Sequence, residues 1–591
     1  MRTIIQCTEP THSELMQIFK LLTMQLSKNT FNYLKYGVFL WLLMVSISSC
    51  NKFLDLKPAS EITDPTYWKT ANDFKLAANF FYKNTLDDPH YSGTNNSDNM
   101  SDIAFGTQTD AVSAGTYVAP ETDAIWDNAY SWIRNANKLI QEGRTSEIMQ
   151  DIQPYLGEGY FFRAYNYFTL VKLYGGVPII SKVLLPSDAE VFSKRADRAV
   201  VFDSILRDLN FAIADLPVKK DAETGRICKE AAQAFKARVC LFEGTWRKFR
   251  GLTGADSLLE QAYTEAGNVI SSKAYSLYDA KGAQSYRYLF IDATSIDNPE
   301  SIIVKKYRTN INVNGWAYGV SWGNLNPTKK MADAYLCKDG LPIEKSPEFE
   351  GYDSCRSEFY NRDPRMTQSI IMPATKIIRP QFDTYLPQWP GVDNNRNVNS
   401  GYMLYKFISE EPTPGDGGGE FDWNILRYAE VLLIYAEAKF ERNNQITDAD
   451  LNISINALRS RVGMPALTNS FVQVHGLDMR TEIRRERMVE LAFEGFRWDD
   501  LRRWKTAETE LPKSQLSIKV TATQWDSKKI TLDGSSYTSY FYNLGEGQLE
   551  NGCKVLQPAS QRTFDPEKNY LLPIPTKQIS LNDSLEQNPK W

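Results

Sequence analysis

Apolar side chains recur every three or four residues in several long stretches of this chain, and this spacing constrains the fold more than any other feature. The stripes are Phe74, Ala78 and Phe81; Trp126, Ala129, Ile133, Ala136 and Ile140; Tyr160, Ala164, Tyr167, Val171 and Tyr174; Phe202, Ile205, Leu209, Ala212 and Leu216; Ala232, Phe235, Val239, Phe242 and Trp246; Ile425, Ala429, Leu432, Ala436 and Phe440; and Leu451, Ile455, Leu458 and Val462. Such spacing places the apolar residues on one face of a helix. Alanine alternates with large aromatic residues and the connections are short, so we expect antiparallel helix pairs stacked in a tetratricopeptide-like manner.

The helical spacing is lost between residues 280 and 425, where Asn, Gly, Pro and Trp become frequent. Long loops on a helical scaffold usually carry function. We therefore distinguish an N-terminal helical region, 65–280, from a C-terminal region, 281–591, that includes a loop-rich candidate ligand face. The predicted fold class is mainly α with minor β. Asp64 followed by Pro65 is predicted to cap the first helix.

The start of the chain has the pattern of a bacterial lipoprotein leader. Its uncharged apolar run, Gly37–Ile47, has eleven residues, whereas a membrane-spanning helix needs about 20. Lys28 and Lys35 precede the run and small residues follow it, as in a secretory signal peptide. Cys50, directly after the small residues, is then the predicted site of lipid attachment.

Residues 1–49 are accordingly predicted to be the signal peptide, with Met24 as the true start, and residues 50–64 a lipid-anchored tether. Each buried CH₂ group of the acyl chains contributes about 0.8 kcal/mol, so the protein would be anchored to a membrane without crossing it. The alternative is an ordinary secretory signal in which Cys50 is incidental.

Composition argues against several functional classes. The net charge of −5 provides no basic field for nucleic acid. Of seven cysteines, five remain after the leader and Cys50, an odd number without a CxxC spacing, so we predict neither a disulfide framework nor a zinc site. Asp393, Asn395 and Asn397 have the spacing of a calcium loop, but Val398 stands where that loop needs glycine. No metal and no cofactor are expected.

A glycoside hydrolase needs only two carboxylates, which the fold brings together. The adjacent Asp499 and Asp500 are the most suggestive pair. The favoured interpretation is structural: residues 484–505 are predicted to form one helix with solvated surface pairs such as Glu494 with Arg497 and Asp499 with Arg503. We therefore expect no catalytic residues.

Several segments together resemble the SusD/RagB family of Bacteroidota outer-membrane lipoproteins. They are FTLVKLYGGVPI (168–179), NPTKKMADAYLCKDGLPI (326–343), NILRYAEVLLIYAEA (424–438), RRERMVELAFEGFRWDDLRRWK (484–505) and YLLPIPTKQISLNDSLEQNPKW (570–591). They follow the leader in the family's order and span the mature chain. The chain ends in QNPKW, where endings similar to QNPGY are usual.

The resemblance implies a compact helical protein in which four tetratricopeptide-like helix pairs form a scaffold and a loop-rich region carries the ligand face. It also implies a lipoprotein on the cell surface that sits as a lid over a TonB-dependent, SusC-like barrel transporter. Family members capture an oligosaccharide, or in some cases a peptide, and have no catalytic chemistry.

The strongest candidate ligand segment is NGWAYGVSWGN (314–324). In a strand, Trp316, Tyr318 and Trp322 would lie on one face with about 7 Å between alternate residues, and their rings could stack on sugars. Asn314 and Asn324, with Asn326 beyond them, offer donors and acceptors for hydroxyl groups. The alternative is a strand that packs its aromatic face onto the helices.

A second candidate is the polar loop HYSGTNNSDNMSD (90–102), with Tyr91, Asn95, Asn96 and Asp98. It resembles the place where the family's N-terminal part often reaches the ligand, and the alternative is a solvated loop. Tyr385 and Trp389, in a Pro-rich stretch, are a third candidate. A peptide-capturing member, a lipid-anchored glycoside hydrolase and a protein-binding scaffold remain as other functions.

Overall fold

Helices dominate the part of the chain that the structure, a computed structural model, describes: residues 67–84, 98–291, 298–308, 311, 315, 320, 323–379, 384–387, 398–408 and 421–591. The α-helices in these residues are α1 (Ala71–Asn84), α2 (Ala111–Ala114), α3 (Ala124–Arg144), α4 (Gln153–Tyr174), α5 (Arg198–Asp215), α6 (Lys229–Lys248), α7 (Ala255–Ser272), α8 (Ser285–Tyr288), α9 (Lys329–Ala334), α10 (Pro364–Ser369), α11 (Tyr428–Asn443), α12 (Asp448–Asn452), α13 (Ile455–Arg461), α14 (Asn469–Val474), α15 (Met479–Glu490), α16 (Arg497–Arg503), α17 (Ala507–Glu510) and α18 (Thr576–Leu581).

Trp68–Trp591 forms one compact unit. Met1–Tyr67 is a separate unit, of which only Tyr67 is described. The predicted leader, the tether and Cys50 therefore lie outside the described residues, as do Asp64 and Pro65. None of the helices in the described part combines the length and apolar character needed to cross a membrane.

The long helices pack against one another in sequence order, α3 on α4, α4 on α5 and α6 on α7, and α11 then packs on α7 and on α15. The predicted stripes of α3, α4, α5 and α6 are buried at these contacts. Local signals set the ends of the helices: Asp123 Oδ1 accepts a hydrogen bond from the Ile125 N–H at 2.9 Å, and Gly175 follows α4 with a φ of 79°. These features confirm the predicted helix-rich scaffold.

Short strands supply the minor β content. They are β1 (Ala104–Phe105), β2 (Ser301–Lys305), β3 (Asn326–Pro327), β4 (Lys376–Arg379), β5 (Thr384–Pro387), β6 (Trp423–Arg427), β7 (Gln515–Lys519), β8 (Lys529–Leu532), β9 (Ser535–Thr538), β10 (Leu549–Glu550) and β11 (Cys553–Gln557). Antiparallel pairs form between β1 and β3, β2 and β6, β4 and β5, and β8 and β9, while β11 lies between β10 and β7.

Two predicted helical stripes differ from the structure. Ile425 belongs to strand β6, which pairs with β2, so the helix predicted around it starts only at Tyr428. The stripe from Leu451 to Val462 is divided between α12 and α13. The first helix begins at Ala71, and its predicted inward residues are buried.

The prediction of one helix over 484–505 is wrong. Helix α15 ends at Glu490 and α16 begins at Arg497, because the chain turns twice through the left-handed region between them. Phe493 has a φ of 63° and Gly495 a φ of 84°. Because of this turn, the side chains of α15 and α16 face different parts of the fold.

The predicted surface pairs of this segment are also wrong, because the charges are buried and pair across the fold. Glu494 accepts from Arg427 Nε at 2.7 Å, and Arg497 Nε donates to Asp102 at 2.7 Å. Arg427 also reaches Glu490 and Glu300, each at 2.7 Å. Removing one partner from such a buried network leaves an uncompensated charge. The charged residues of 484–505 therefore have a structural role in the scaffold.

Candidate ligand-binding site

The two main ligand segments predicted from the sequence are joined just beyond their C-terminal ends. Strand β1 pairs with β3, with Phe105 opposite Asn326. The Thr328 N–H donates to the Ile103 carbonyl at 2.9 Å, and the Thr328 hydroxyl donates to the Asp102 carbonyl at 2.7 Å. These bonds bring together regions more than 200 residues apart in sequence.

Most of the predicted ligand residues lie outside the part of the chain that is described. These are Tyr91, Asn95, Asn96, Asn314, Trp316, Tyr318, Trp322 and Trp389, together with Asp393, Asn395 and Asn397 of the calcium-loop spacing. Their contact with a ligand stays a prediction.

Four of the predicted ligand residues are described. Tyr385 belongs to strand β5. Asn324 is exposed next to β3. Asp98 is fully buried, and its Oδ2 accepts from the Gly495 N–H at 2.8 Å. Asn326 is also buried and donates to the Gly323 carbonyl at 2.7 Å. Asp98 and Asn326 thus hold the chain beside the junction, whereas Asn324 reaches solvent.

A crevice of about 1030 Å³ opens next to this junction. Its walls come from the segment 106–112, from helices α3, α4 and α6, and from the segment 494–503 around α16. Gly106, the residue that follows β1, lies in the wall itself. The crevice therefore lies between the N-terminal helices and the segment around α16. Its volume suits a small ligand or part of a longer one.

The outer rim of the crevice is polar. Thr107, Gln108, Thr109 and Asn128 line it and are exposed. Hydroxyl and amide side chains both donate and accept hydrogen bonds, so such a rim can bind the hydroxyl groups of a sugar in more than one orientation.

Aromatic rings lie between the rim and the floor. Trp132 is half-buried and meets Phe80 edge to face, with ring centroids 5.2 Å apart. Tyr165 is stacked on Phe235 at 5.3 Å. Phe496 lines the opposite wall. Aromatic side chains with a few polar groups around them are the usual lining of a small-molecule site.

The charged side chains of the floor are paired with one another. Lys172 Nζ lies 2.6 Å from Asp499 Oδ2, and Arg238 lies 2.5 Å from Glu430. Burial opposes ionisation of Asp499, but Lys172 and Arg502 outweigh it and lower the pKa of this carboxyl group. The floor therefore presents ion pairs with their charges largely compensated.

The neighbouring Asp500 is engaged in the same way. It accepts from Arg487 Nε at 2.9 Å and from Arg503 Nε at 2.8 Å, so Arg503 bonds with Asp500 and not with Asp499 as predicted. A glycosidase acid needs a carboxyl group whose pKa is raised. Asp499 has the opposite shift, which argues against this pair as a hydrolytic site.

Two further carboxylates stand at the mouth and cap helices. Asp110 Oδ1 accepts from the Ser113 N–H at 2.8 Å at the start of α2. Asp123 caps α3, and its Oδ2 accepts from the Tyr174 hydroxyl at 2.5 Å. Both residues line the crevice.

Metal and thiol chemistry have little support at this site. Within the described ranges, no group of three His, Cys, Asp or Glu residues could hold a metal ion. The five cysteines in those ranges are buried and free, and burial raises the pKa of the Cys240 thiol to about 12. The site is built from hydroxyl, amide and aromatic groups above a floor of ion pairs.

The wall formed by residues 106–112 was not predicted from the sequence. Its signal was present but weak: a polar run, GTQTD, ends in the helix-capping Asp110. Trp132 lies off the apolar stripe of α3 and was not among the predicted ligand residues. Its position at the crevice depends on the neighbouring α1.

Models of known families match both halves of the chain. The model described as "SusD family" matches residues 293–591. The model described as "Starch-binding associating with outer membrane" matches residues 52–241.

A SusD-like protein of Formosa agariphila is 25% identical to this chain over 507 residues, which cover 79% of this chain and 91% of the relative. A second SusD-like protein of that organism is 24% identical over 575 residues, covering 94% of this chain and 99% of the relative.

Solved structures share the fold. A SusD-like carbohydrate-binding protein of Bacteroides fragilis aligns with a TM-score of 0.72 and 23% identity, over 88% of this chain and all of the other. Another SusD-like protein of B. fragilis gives 0.71 and 25% identity, over 90% of this chain and all of the other. A structure determined with xylogluco-oligosaccharide gives 0.61 and 17% identity, over 86% of this chain and 97% of the other.

Proposed function

The chain belongs to the SusD family, and on this premise we propose that it captures an oligosaccharide outside the cell and delivers it to a TonB-dependent, SusC-like transporter of the outer membrane. Attachment is through a lipid on Cys50. The partners are the oligosaccharide, the transporter and the outer membrane.

The crevice is the observation that carries this proposal. It combines a hydroxyl- and amide-rich rim with aromatic rings such as Trp132, and it lies beside the β1–β3 junction from which both predicted ligand segments extend. The structure determined with xylogluco-oligosaccharide and the starch-binding family model support a sugar as the ligand.

Binding without catalysis is the second part of the proposal. The carboxylates most suggestive of hydrolysis, Asp499 and Asp500, are each held by basic side chains. A bound glycan would therefore not be hydrolysed in the site, as capture for transport requires.

The test is calorimetry and tryptophan fluorescence on the soluble chain from Asn51, with plant, host and microbial glycans and a peptide mixture. We expect saturable binding of one glycan class, with no shorter products after incubation. Trp316→Ala/Trp322→Ala and, separately, Trp132→Ala should each weaken binding about tenfold or more, because they remove stacking rings.

Tyr542→Ala provides a matched control, because it removes an exposed aromatic ring that does not line the crevice. Binding to peptides alone would refute glycan capture and favour a peptide-capturing member. Release of shorter sugars would instead favour a lipid-anchored hydrolase. Protein binding that survives both tryptophan variants, without any glycan binding, would favour a scaffold.

Delivery is tested separately with the full chain in its native membrane. Purification of the lipidated protein should recover a TonB-dependent barrel protein, and Cys50→Ala should release the protein from the membrane fraction. Recovery of the lipidated protein without any barrel partner would contradict the delivery step while leaving glycan capture intact.

A further inference from the structure

We propose that the captured oligosaccharide is uncharged, and that Asp110 and Asp123 at the mouth of the crevice disfavour glycans carrying carboxylate or sulfate groups. This inference rests on the proposed function, because it specifies the ligand class of the same crevice.

Each basic side chain among the described lining residues of the crevice is already paired with a protein carboxylate. Recognition of an anionic sugar relies on charge-assisted bonds from Arg or Lys. Here Lys172 is bound to Asp499 and Arg238 to Glu430, and the remaining two, Arg487 and Arg503, are bound to Asp500. An anionic ligand would have to compete with a protein carboxylate for each of these cations.

Two carboxylates stand at the mouth of the crevice. Asp110 accepts its hydrogen bond from the Ser113 N–H. Asp123 accepts from the Ile125 N–H and the Tyr174 hydroxyl. These hydrogen-bond partners are neutral groups. Arg562 attracts the Asp110 carboxylate and opposes the rise in its pKa that burial causes, but forms no ion pair with it. The negative charges of Asp110 and Asp123 are therefore less compensated than those of the floor.

The physical consequence is selection by repulsion. Like charges repel one another in water, and the repulsion extends over roughly 10 Å at ordinary salt. A glycan with several anionic groups would experience this several times along its length. We expect about tenfold weaker binding of such a glycan at low salt.

The experiment compares neutral oligosaccharides with their own anionic forms by calorimetry on the soluble chain from Asn51. A xylogluco-oligosaccharide and the other neutral members of the plant, host and microbial glycan panel are each measured before and after oxidation of their primary alcohols to carboxylates. The backbone of the sugar stays the same, so the comparison isolates charge. Each pair is measured at about 20 mM and about 500 mM salt, which screens the repulsion.

We expect the oxidised form of a binding sugar to bind about tenfold more weakly at low salt, with a smaller difference at high salt. Asp110→Asn/Asp123→Asn should raise the affinity of the oxidised form relative to the neutral form about fivefold. Asparagine also caps helices well, so the variant removes charge while the caps are kept.

Asp478→Asn is the matched control. Asp478 caps α15 through the Thr481 N–H at 2.9 Å and does not line the crevice, so its substitution should leave the preference unchanged. Equal or tighter binding of the oxidised form would overturn this inference and leave glycan capture standing. Binding of neither form by any member of the panel would overturn the proposed function and this inference with it.

Discussion

Asp98 is a fully buried carboxyl group at the end of one predicted ligand segment. Its bond to the Gly495 N–H fixes the segment to the turn between α15 and α16. Burial raises the pKa of Asp98 to about 7, and the carboxylate of Glu494 adds to the rise while Lys406 opposes it. A single residue thus makes the anchoring of this segment sensitive to pH.

The sign of this dependence follows from proton binding. The pKa of Asp98 is higher in the folded than in the unfolded chain, so between about pH 4 and 7 the folded chain binds more protons at this site. The contribution of Asp98 to the free energy of unfolding is therefore full at low pH and falls as the pH rises through 7.

We predict that Asp98→Asn, which mimics the neutral carboxyl group, becomes more stable relative to the unmodified chain as the pH rises. The difference in the free energy of unfolding between the two proteins should grow by roughly 2 to 3 kcal/mol from pH 5 to pH 8. The measurement is urea unfolding of both proteins, followed by tryptophan fluorescence at the two pH values. A difference between the two proteins that stays constant with pH would show that Asp98 ionises at its ordinary pKa.

At the scale of elements, the short helix α2 illustrates how one glycine fixes the crevice wall. Gly115 ends α2 with a φ of 74°. The C-terminal part of the chain lies close to this turn, because the Thr563 N–H donates to the Ala114 carbonyl at 3.0 Å. A Cβ at Gly115 would lie 2.1 Å from the Thr563 carbonyl oxygen, so the C-terminal chain can approach only because residue 115 has no side chain.

Gly115→Ala is therefore expected to lower the free energy of unfolding by about 3 kcal/mol or more, through a clash with backbone added to the strain of a positive φ. Gly251→Ala separates the two effects, because Gly251 has a φ of 66° with nothing within 4 Å of its added Cβ. That control should cost only about 1 kcal/mol. Equal losses in urea unfolding of the two variants would refute the importance of the close approach.

At the scale of the whole molecule, the N-terminal and C-terminal regions are interlocked. Arg503 of the C-terminal motif donates to the Thr245 hydroxyl at 3.1 Å, and the Leu572 N–H donates to the Leu173 carbonyl at 2.8 Å. Helix α7 packs on α11 across the same boundary. Separating the regions would expose apolar faces and leave buried charges without partners.

We predict that the soluble chain unfolds in one cooperative transition and that the fragment 68–280 does not fold alone. Near-ultraviolet circular dichroism of the fragment should lack the aromatic signals of the full chain, whereas intrinsic fluorescence and far-ultraviolet dichroism of the full chain should report the same midpoint in urea. A fragment with native-like aromatic signals and its own sharp transition would contradict this interlocking.

The helices of this protein were largely determined by the sequence itself. A period of three to four residues is a local property, and it placed Ile133 and Ala136 of α3 in the core without any knowledge of their neighbours. The cap of α3 is likewise local, because Asp123 accepts its hydrogen bond from the N–H of Ile125, two residues later. The family resemblance, carried by motifs in a fixed order, also needed only the sequence, and the family match confirms it.

The tertiary structure decided what depends on distant partners. Ile425 fits a helical stripe as well as a strand, and pairing of β6 with β2 settled the choice. Glu494 acquired Arg427 as its partner, 67 residues away, where the sequence suggested the nearby Arg497. The crevice wall at 106–112 became part of a site only when remote helices packed beside it. Spacing along the chain encodes which face of a helix is apolar, but desolvation and pairing energies depend on groups that only folding brings together.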